Sequence, residues 1–289
     1  MKTGKIAIFL ISLSVPFFSG CMPLAFKLSS SLFPNFVASV FEECDPELAK
    51  GSIPANLKLM EGLLKNAPKN RDVLITLSMG FSGYSMLFVE RDDPARASAL
   101  YLRARDYGIR ALGDKGAVLK NPRLRGKMLQ NALQNMSKED LKPLFWTTMS
   151  WNAWINLNLD KPAALAQLTL SQACLERVME IDANYLYGLP YILMGVSLAA
   201  MPPMLGGNIQ EAKDYFEKAL RLSNRKFFLT QYYFAKFYTV RVQDKELFLK
   251  LIQEIIDGDP RGLKDVCLIN GVVQNQAGQL KEMVEDLFF

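Results

Sequence analysis

The sequence predicts an all-α protein, an array of helical hairpins. Three observations carry this. Strand-like alternation is scarce, whereas apolar residues recur at helical spacing through most of the 289 residues. A set of small and aromatic residues returns at fixed intervals. Three long stretches carry no charged side chain, and a helix that is apolar all round must be covered all round. Half of the residues are hydrophobic and 22% are charged, so a large core is within reach and intrinsic disorder is excluded.

The chain opens on an address. Lys2 and Lys5 precede an uncharged apolar run from Ile6 to Phe18, and Ser19-Gly20-Cys21 follows. This is the layout of a bacterial secretion signal over residues 1–20. Its ending resembles a lipobox, in which the Cys21 sulfur takes a diacylglycerol and becomes the mature N-terminus. A signal peptide cut elsewhere is the plainer alternative. Two or more acyl chains anchor stably. Met22, rather than an aspartate, after the cysteine favours the outer membrane, facing the periplasm. Residues 21–44 then read as anchor linker and first helix, and 45–289 as one repeat domain. Cleavage removes two positive charges and leaves a net charge of +3, which does not argue for nucleic acid. Cys44, Cys174 and Cys267 remain. An odd number cannot all pair internally, and their apolar helical surroundings read as buried, inert thiols; which of them pair stays open.

The repeat is visible in residue spacing. Gly80, Ala97, Tyr101 and Ala104 are matched 115 positions later by Gly195, Ala212, Phe216 and Ala219, with gaps of 17, 4 and 3 in both. Trp154, Ser171, Leu175 and Val178 repeat the same gaps more weakly. They run into Met179-Glu180-Ile181-Asp182-Ala183-Asn184-Tyr185, a tetratricopeptide-like junction. A fourth copy falls around Tyr232–Pro260, with Ala235, Tyr238, Ile255 and Pro260 in comparable places. Small residues let two helices approach, and an aromatic fills the gap. The fold class is therefore all-α, a cryptic tetratricopeptide-like hairpin array. The clearest helix is 209–222: Ala212, Tyr215, Phe216, Ala219, Leu220 and Leu222 make its apolar stripe, Asn208 and Glu211 a capping box, and Asp214–Lys218 and Glu217–Arg221 two ion pairs.

The first helix of each pair is unusual. Val73–Val89, Leu144–Leu159 and Ala183–Gln210 contain no Asp, Glu, Lys or Arg, and the second holds Trp146, Trp151 and Trp154. Membrane spanning is the alternative for the third, but Pro190, Pro202 and Pro203 bound a helix too short to cross a bilayer. Two readings stay open: plain core packing, or helices that wall an apolar cleft. The cleft reading selects Tyr84, Trp146, Trp151, Trp154, Tyr187, Tyr191, Met201 and Met204. Between Arg96 and Lys127 nine basic residues face only Asp106 and Asp114. This segment reads as a solvated face or as a docking surface for an acidic partner or anionic lipid head groups, with Arg103, Arg105, Arg110, Arg123 and Arg125 as candidates.

Catalysis finds little support. Zero histidines remove the Ser-His-Asp and Cys-His arrangements and most zinc sites. No phosphate-cradling glycine loop, nucleophile elbow or Cys-x-x-Cys occurs. Ser223-x-x-Lys226 is a chance match, and no catalytic residue, metal or cofactor is expected.

The chain resembles the T-component lipoproteins of TRAP transporters. The matching stretches are Leu57–Pro68, Leu100–Leu112, Leu144–Trp154, Met201–Ala212 with its Leu205-Gly206-Gly207, and Asp214–Leu220. Cys267-Leu-Ile-Asn270 is also similar, whereas Gly271–Gln276 departs and puts the tail's packing in question. The resemblance implies a periplasmic, lipid-anchored, cryptic tetratricopeptide fold. It also implies a homotrimer that docks the substrate-binding P component of a TRAP transporter and a cleft for a hydrophobic, carboxylate-bearing ligand. The competing reading is an outer-membrane scaffold for protein assembly, which needs a polar peptide groove; the uncharged helices favour ligand binding.

Overall fold

A computed structural model describes residues 33–121 and 124–289, and among these there is helix but no strand. The signal segment, Cys21 and Arg123 lie outside the described residues. Helix α1 covers 33–41. Then come α2 (Pro46–Asn66), α3 (Arg71–Tyr84), α4 (Pro94–Ala111), and the short α5 (Asp114–Leu119) and α6 (Gly126–Gln134). The middle holds α7 (Leu141–Asn156), the single turn α8 (Pro162–Leu165), α9 (Leu168–Asp182), α10 (Tyr185–Ala200) and α11 (Ile209–Leu222). The chain closes with α12 (Phe228–Tyr233), the turn α13 (Val240–Val242), α14 (Lys245–Asp257), α15 (Cys267–Glu282) and the turn α16 (Val284–Leu287).

The repeat residues do in space what their spacing predicts. The members of the pairs α3/α4, α7/α9 and α10/α11 pack against each other. Ala97, Tyr101 and Ala104, Ser171, Leu175 and Val178, and Ala212, Phe216 and Ala219 are all completely buried. A Cβ on Gly195 would stand 3.0 Å from the Phe216 ring, so the glycine of α10 is the surface on which that aromatic lies. Its counterpart Gly80 faces Leu57 of α2 instead of Tyr101, because in the first copy the preceding helix fills that side. Gly108 of α4 sits where three helices meet: a Cβ there would strike the Thr147 hydroxyl of α7 and crowd that of Ser78 of α3.

Local signals hold as well. Asn208 caps α11 by accepting from the Glu211 N–H at 3.2 Å, and Asp45, Asn70, Asp93 and Asp244 cap α2, α3, α4 and α14 in the same way. Glu217 and Arg221 pair at 3.7 Å, whereas Lys218 lies over the Tyr215 ring rather than on Asp214. The Ser223 hydroxyl is buried and donates to the Ala219 carbonyl, which leaves nothing of a serine–lysine pair. In α10 the backbone of Leu186, Tyr187 and Gly188 is left-handed, and right-handed helix runs only over 189–200 with Pro190 in its first turn. Tyr187 anchors that turn, its ring on Phe227 and its hydroxyl donating to Asp265 at 3.0 Å.

The uncharged helices are covered. Arg71–Val89 is long and apolar enough to cross a membrane by composition, yet it packs against α2, α4 and α7 inside the fold. The continuation of α3 over Ser85–Val89 and that of α12 over Phe234–Thr239 are π-helical. Such turns widen the helix and leave carbonyls to be met from outside. Gln276 of α15 donates to the Leu87 carbonyl at 3.0 Å. Its neighbours are equally structural. Gln274 donates to the carbonyls of Ile255, Ile256 and Gly258 at the end of α14, and buried Asn270 joins Lys226, Phe228 and Pro260. The tail that departs from the resemblance is thus bonded into the array.

The cysteine expectation is corrected. Cys44 sits in the link between α1 and α2, not in a helix, and is bonded to Cys267 at the start of α15. More than three quarters of the chain lies between them, so proximity could not be read from the local apolar context. Cys174 alone is the expected buried thiol, and burial pushes its pKa up to about 12. A crosslink spanning 223 residues contributes about 2–5 kcal/mol by restricting the unfolded chain. Disulfides of this kind belong to an oxidising compartment.

Two outcomes follow for residues 22–289. A thiol reagent should find no reactive group in the native protein, one after denaturation and three after denaturation with reduction. More than one free thiol without reductant would remove the crosslink. Phe216→Ala should lower unfolding stability by about 3–5 kcal/mol in urea titrations, because the void it leaves cannot collapse between α10 and α11.

Candidate functional site

Two features stand out, an apolar cavity and a basic groove. The cavity, about 80 Å³, lies where α1, α2, α3 with its π-helical end, α7 and α15 converge. Phe36, Val40 and Phe41 come from α1, Ile53, Leu57 and Met60 from α2. Met79, Gly83, Tyr84, Met86 and Leu87 come from α3 and its extension. Trp146 and Met149 of α7, Leu189 of α10, and Leu268 and Ile269 of α15 complete the wall. Among the described residues, no lysine, arginine, aspartate or glutamate lines it. The Cys44–Cys267 crosslink lies between the α1 and α15 walls in sequence, three residues after Phe41 and one before Leu268. An ion pair from Lys264 to Glu42 at 2.9 Å closes the same seam.

A second cavity, about 60 Å³, adjoins the first through shared walls, Met86 and Met149. It is mixed in character, with Glu90, Asn152, Asn156 and Ser197 beside Leu193, Met201 and Phe237. Both π-helical turns contribute to it, Met86 from the first and Phe237 from the second. Such widened turns recur at functional sites.

The eight residues expected to share a cleft do not converge. Tyr84 and Trp146 line the apolar cavity and Met201 the mixed one. Trp151 faces the basic groove, where its indole N–H donates to Gln167 at 2.9 Å. Trp154 packs beside Val89 and Tyr101, Tyr187 holds the left-handed turn, and Tyr191 stacks on Tyr215 of α11. Met204 is 89% exposed in the turn after α10. Half of the wall comes from α1, α2 and α15, none of which supplied a candidate. A signal existed for α1: residues 28–41 carry no charge and include Phe33, Phe36 and Phe41.

The basic segment folds into a groove of about 760 Å³ between α4, α7 and the α5–α9 region. Arg103, Arg105, Arg110, Lys120 and Arg125 line it with Asp106. It abuts a second cleft, lined by Lys69, Arg71 and Lys115 with Asp114 and Asp140, through shared Ile109, Arg110 and Lys120. Two of the charges are matched: Arg103 pairs with Glu61, and Arg105 with Asp106 at 3.0 Å while lying over Trp151. Others are held by neutral groups. Arg110 donates to the Pro68 carbonyl and lies over Tyr107, and Arg125 donates to the carbonyls of Leu124 and Ala166. Their positive charge is positioned but not cancelled, which raises the local potential.

Carboxylates from outside the segment brace its ends. Burial raises the Glu61 pKa, but hydrogen bonds from Lys58 and Tyr107 and the charge of Arg103 outweigh it, and the net shift is downward. Asp140 balances in the same way: burial raises it, and Lys115 at 2.6 Å, the Ser137 N–H and Arg71 at 3.0 Å bring it below the ordinary aspartate value. Among the described residues, no group of three or more ligating side chains that could hold a metal comes together.

A depressed carboxylate pKa contributes stability above its unfolded value that is lost as pH falls through the folded value. Asp140→Asn should therefore cost about 1–3 kcal/mol at pH 7, since it strips Lys115 and Arg71 of their partner. The gap to wild type in chemical denaturation should hold above about pH 5 and shrink below the unfolded aspartate range near pH 4. A gap that stays constant to pH 3 would show that Asp140 acts by packing alone.

Two similarities bear on what this arrangement serves. A family model described as TRAP transporter T-component matches residues 42–288. An uncharacterized protein of Treponema pallidum (strain Nichols) is 22% identical over 270 residues, which cover 88% of this chain and 84% of that one.

Proposed function

Since the chain belongs to the TRAP transporter T-component family, as an accessory component of such a transporter, we propose that it binds a hydrophobic organic ligand and docks the substrate-binding P component. The observation that carries the ligand reading is the cavity bounded by α1, α2, α3, α7 and α15, whose wall holds no charged side chain. Apolar burial is the driving force it offers, about 25 cal/mol per Å² removed from water. A carboxylate-bearing ligand would leave its charged end at the mouth in water, because an unpaired charge inside such a wall is costly.

Docking of the P component is supported by the groove of Arg103, Arg105, Arg110, Lys120 and Arg125. Charge of this kind speeds encounter with an acidic surface and fixes its orientation. The reading includes a Cys21 lipid anchor that holds the protein at the outer membrane on its periplasmic side, and assembly as a homotrimer. The disulfide fits that address, since it needs an oxidising compartment. The scaffold alternative would take the polar groove as its peptide site, and it leaves the apolar cavity without a use.

Gly83 offers a clean test. It lines the cavity, and a Cβ there would meet nothing within 4 Å. Gly83→Leu should fill the space, keep or raise stability because leucine favours helix over glycine, and abolish binding of fatty or aromatic acids followed by tryptophan fluorescence and native mass spectrometry. Unchanged binding would move the ligand elsewhere. Arg110→Glu with Arg125→Glu should weaken association with the cognate solute-binding protein at least tenfold at low salt. Insensitivity to both the substitutions and salt would take the groove out of docking.

A further inference from the structure

The mixed cavity beside the apolar one has a chemistry that the ligand reading does not use. Glu90 follows the π-helical turn directly, its N–H bonded to the Ser85 carbonyl at 2.8 Å. One carboxylate oxygen, Oε2, accepts from the buried Tyr101 hydroxyl, and Glu90 forms no ion pair among the described residues. Neighbouring Arg91 turns to Asp92. Across the cavity, Asn152 of α7 is 8% exposed. Its Oδ1 accepts from the Ser171 hydroxyl, while its Nδ2 has no hydrogen-bond partner. A buried amide donor left unmatched costs free energy, which an accepting group brought to this wall would recover. Among the described residues, no lysine or arginine lines either cavity.

The wall therefore sets one carboxylate, Glu90, beside neutral polar groups, Asn152 with Asn156, Ser197 and Tyr233, and among the described residues it holds no cation. A ligand carboxylate placed here would face Glu90 with nothing to neutralise the pair, and like charges at short range in a poorly hydrated site repel strongly. A group that donates and accepts at once suits both sides. Burial and the nearby Glu90 charge also push the Tyr101 and Tyr233 hydroxyls upward in pKa, which keeps both protonated. The partition between the two cavities is Met86 and Met149, side chains flexible enough to repack around an occupant.

We propose that the Glu90–Asn152 cavity seats a neutral hydroxyl or carboxamide group carried by the apolar ligand of the adjoining cavity, the group donating to Glu90 and accepting from Asn152. The inference rests on the reading that the apolar cavity holds a ligand. It adds a requirement to it: the ligand is recognised by an uncharged donor–acceptor group next to its apolar body, whatever its solvent-facing end carries.

The test compares probes of one chain length on delipidated residues 22–289, read by tryptophan fluorescence and native mass spectrometry: octanol, octanamide, octanoate, octylamine and octane. Octanol and octanamide should bind about tenfold or more tighter than octanoate and octane at pH 7, because an unmatched polar wall rejects a probe that cannot satisfy it. Asn152→Leu should erase the advantage of octanol over octane. Glu90→Gln, which keeps an acceptor for Tyr101, should improve octanoate selectively. Both variants are compared at equal folded fraction by circular dichroism, and a merely structural role would change stability without altering the order of the probes. Octanoate or octane binding as well as octanol, or octylamine binding tightest with no response to Asn152→Leu, would overturn the proposal while leaving the ligand reading intact. Binding of no probe at all would remove both.

Discussion

Everything in this fold depends on one constraint: helical stretches without charged residues must find apolar cover on every side. The uncharged stretches of α3, α7 and α10 occupy the inner layer for that reason. Covering them demands close approach, and close approach demands small residues. Gly108 admits Ser78 and Thr147 where α3, α4 and α7 meet, and Gly195 receives the Phe216 ring. The outer helices α4, α9 and α11 can then be amphipathic, with alanine or serine and an aromatic or aliphatic residue inward and charge outward.

Cover is completed by elements distant in sequence. Helix α1 and helix α15 close over α2, α3 and α7, and the Cys44–Cys267 bond fixes one against the other. Where packing is imperfect, the structure answers with polar staples. Gln276 meets the carbonyl freed by the first π-helical turn, Gln274 terminates α14, and Asn270 joins three segments around α12. The hollows that remain lie beside the π-helical turns. Widening a helix by one residue shifts the register of its side chains, so two faces cannot both stay in close contact with their neighbours.

Charge is organised as strictly as apolarity. The basic segment keeps its carboxylate partners at its edges, Glu61 on one side and Asp140 on the other. Its centre, around Arg110, Lys120 and Arg125, is oriented by carbonyls and aromatic faces. The cavities, by contrast, are lined by no lysine or arginine among the described residues. The two surfaces thus favour different guests, an acidic macromolecular face outside and an apolar molecule inside.

The fold was legible because its signals are local or periodic. Helical period, the Asn208 cap and the gaps of 17, 4 and 3 survive in one dimension, and the helix 209–222 and the buried repeat positions follow from them. The site was legible only in part. Uncharged stretches announce that a wall exists, and Tyr84 and Trp146 belong to it, but similar aromatic content put Trp154 into solid packing and Met204 into solvent. Sequence alone determined the helical array, its uncharged inner layer and its basic segment, since composition and periodicity fix which faces must be buried. Tertiary structure alone decided which walls enclose a hollow, that Cys44 meets Cys267, and that Glu90 and the unmatched Asn152 line one cavity. Those depend on residues far apart in the chain and on small mismatches between packed surfaces, and neither leaves a local trace.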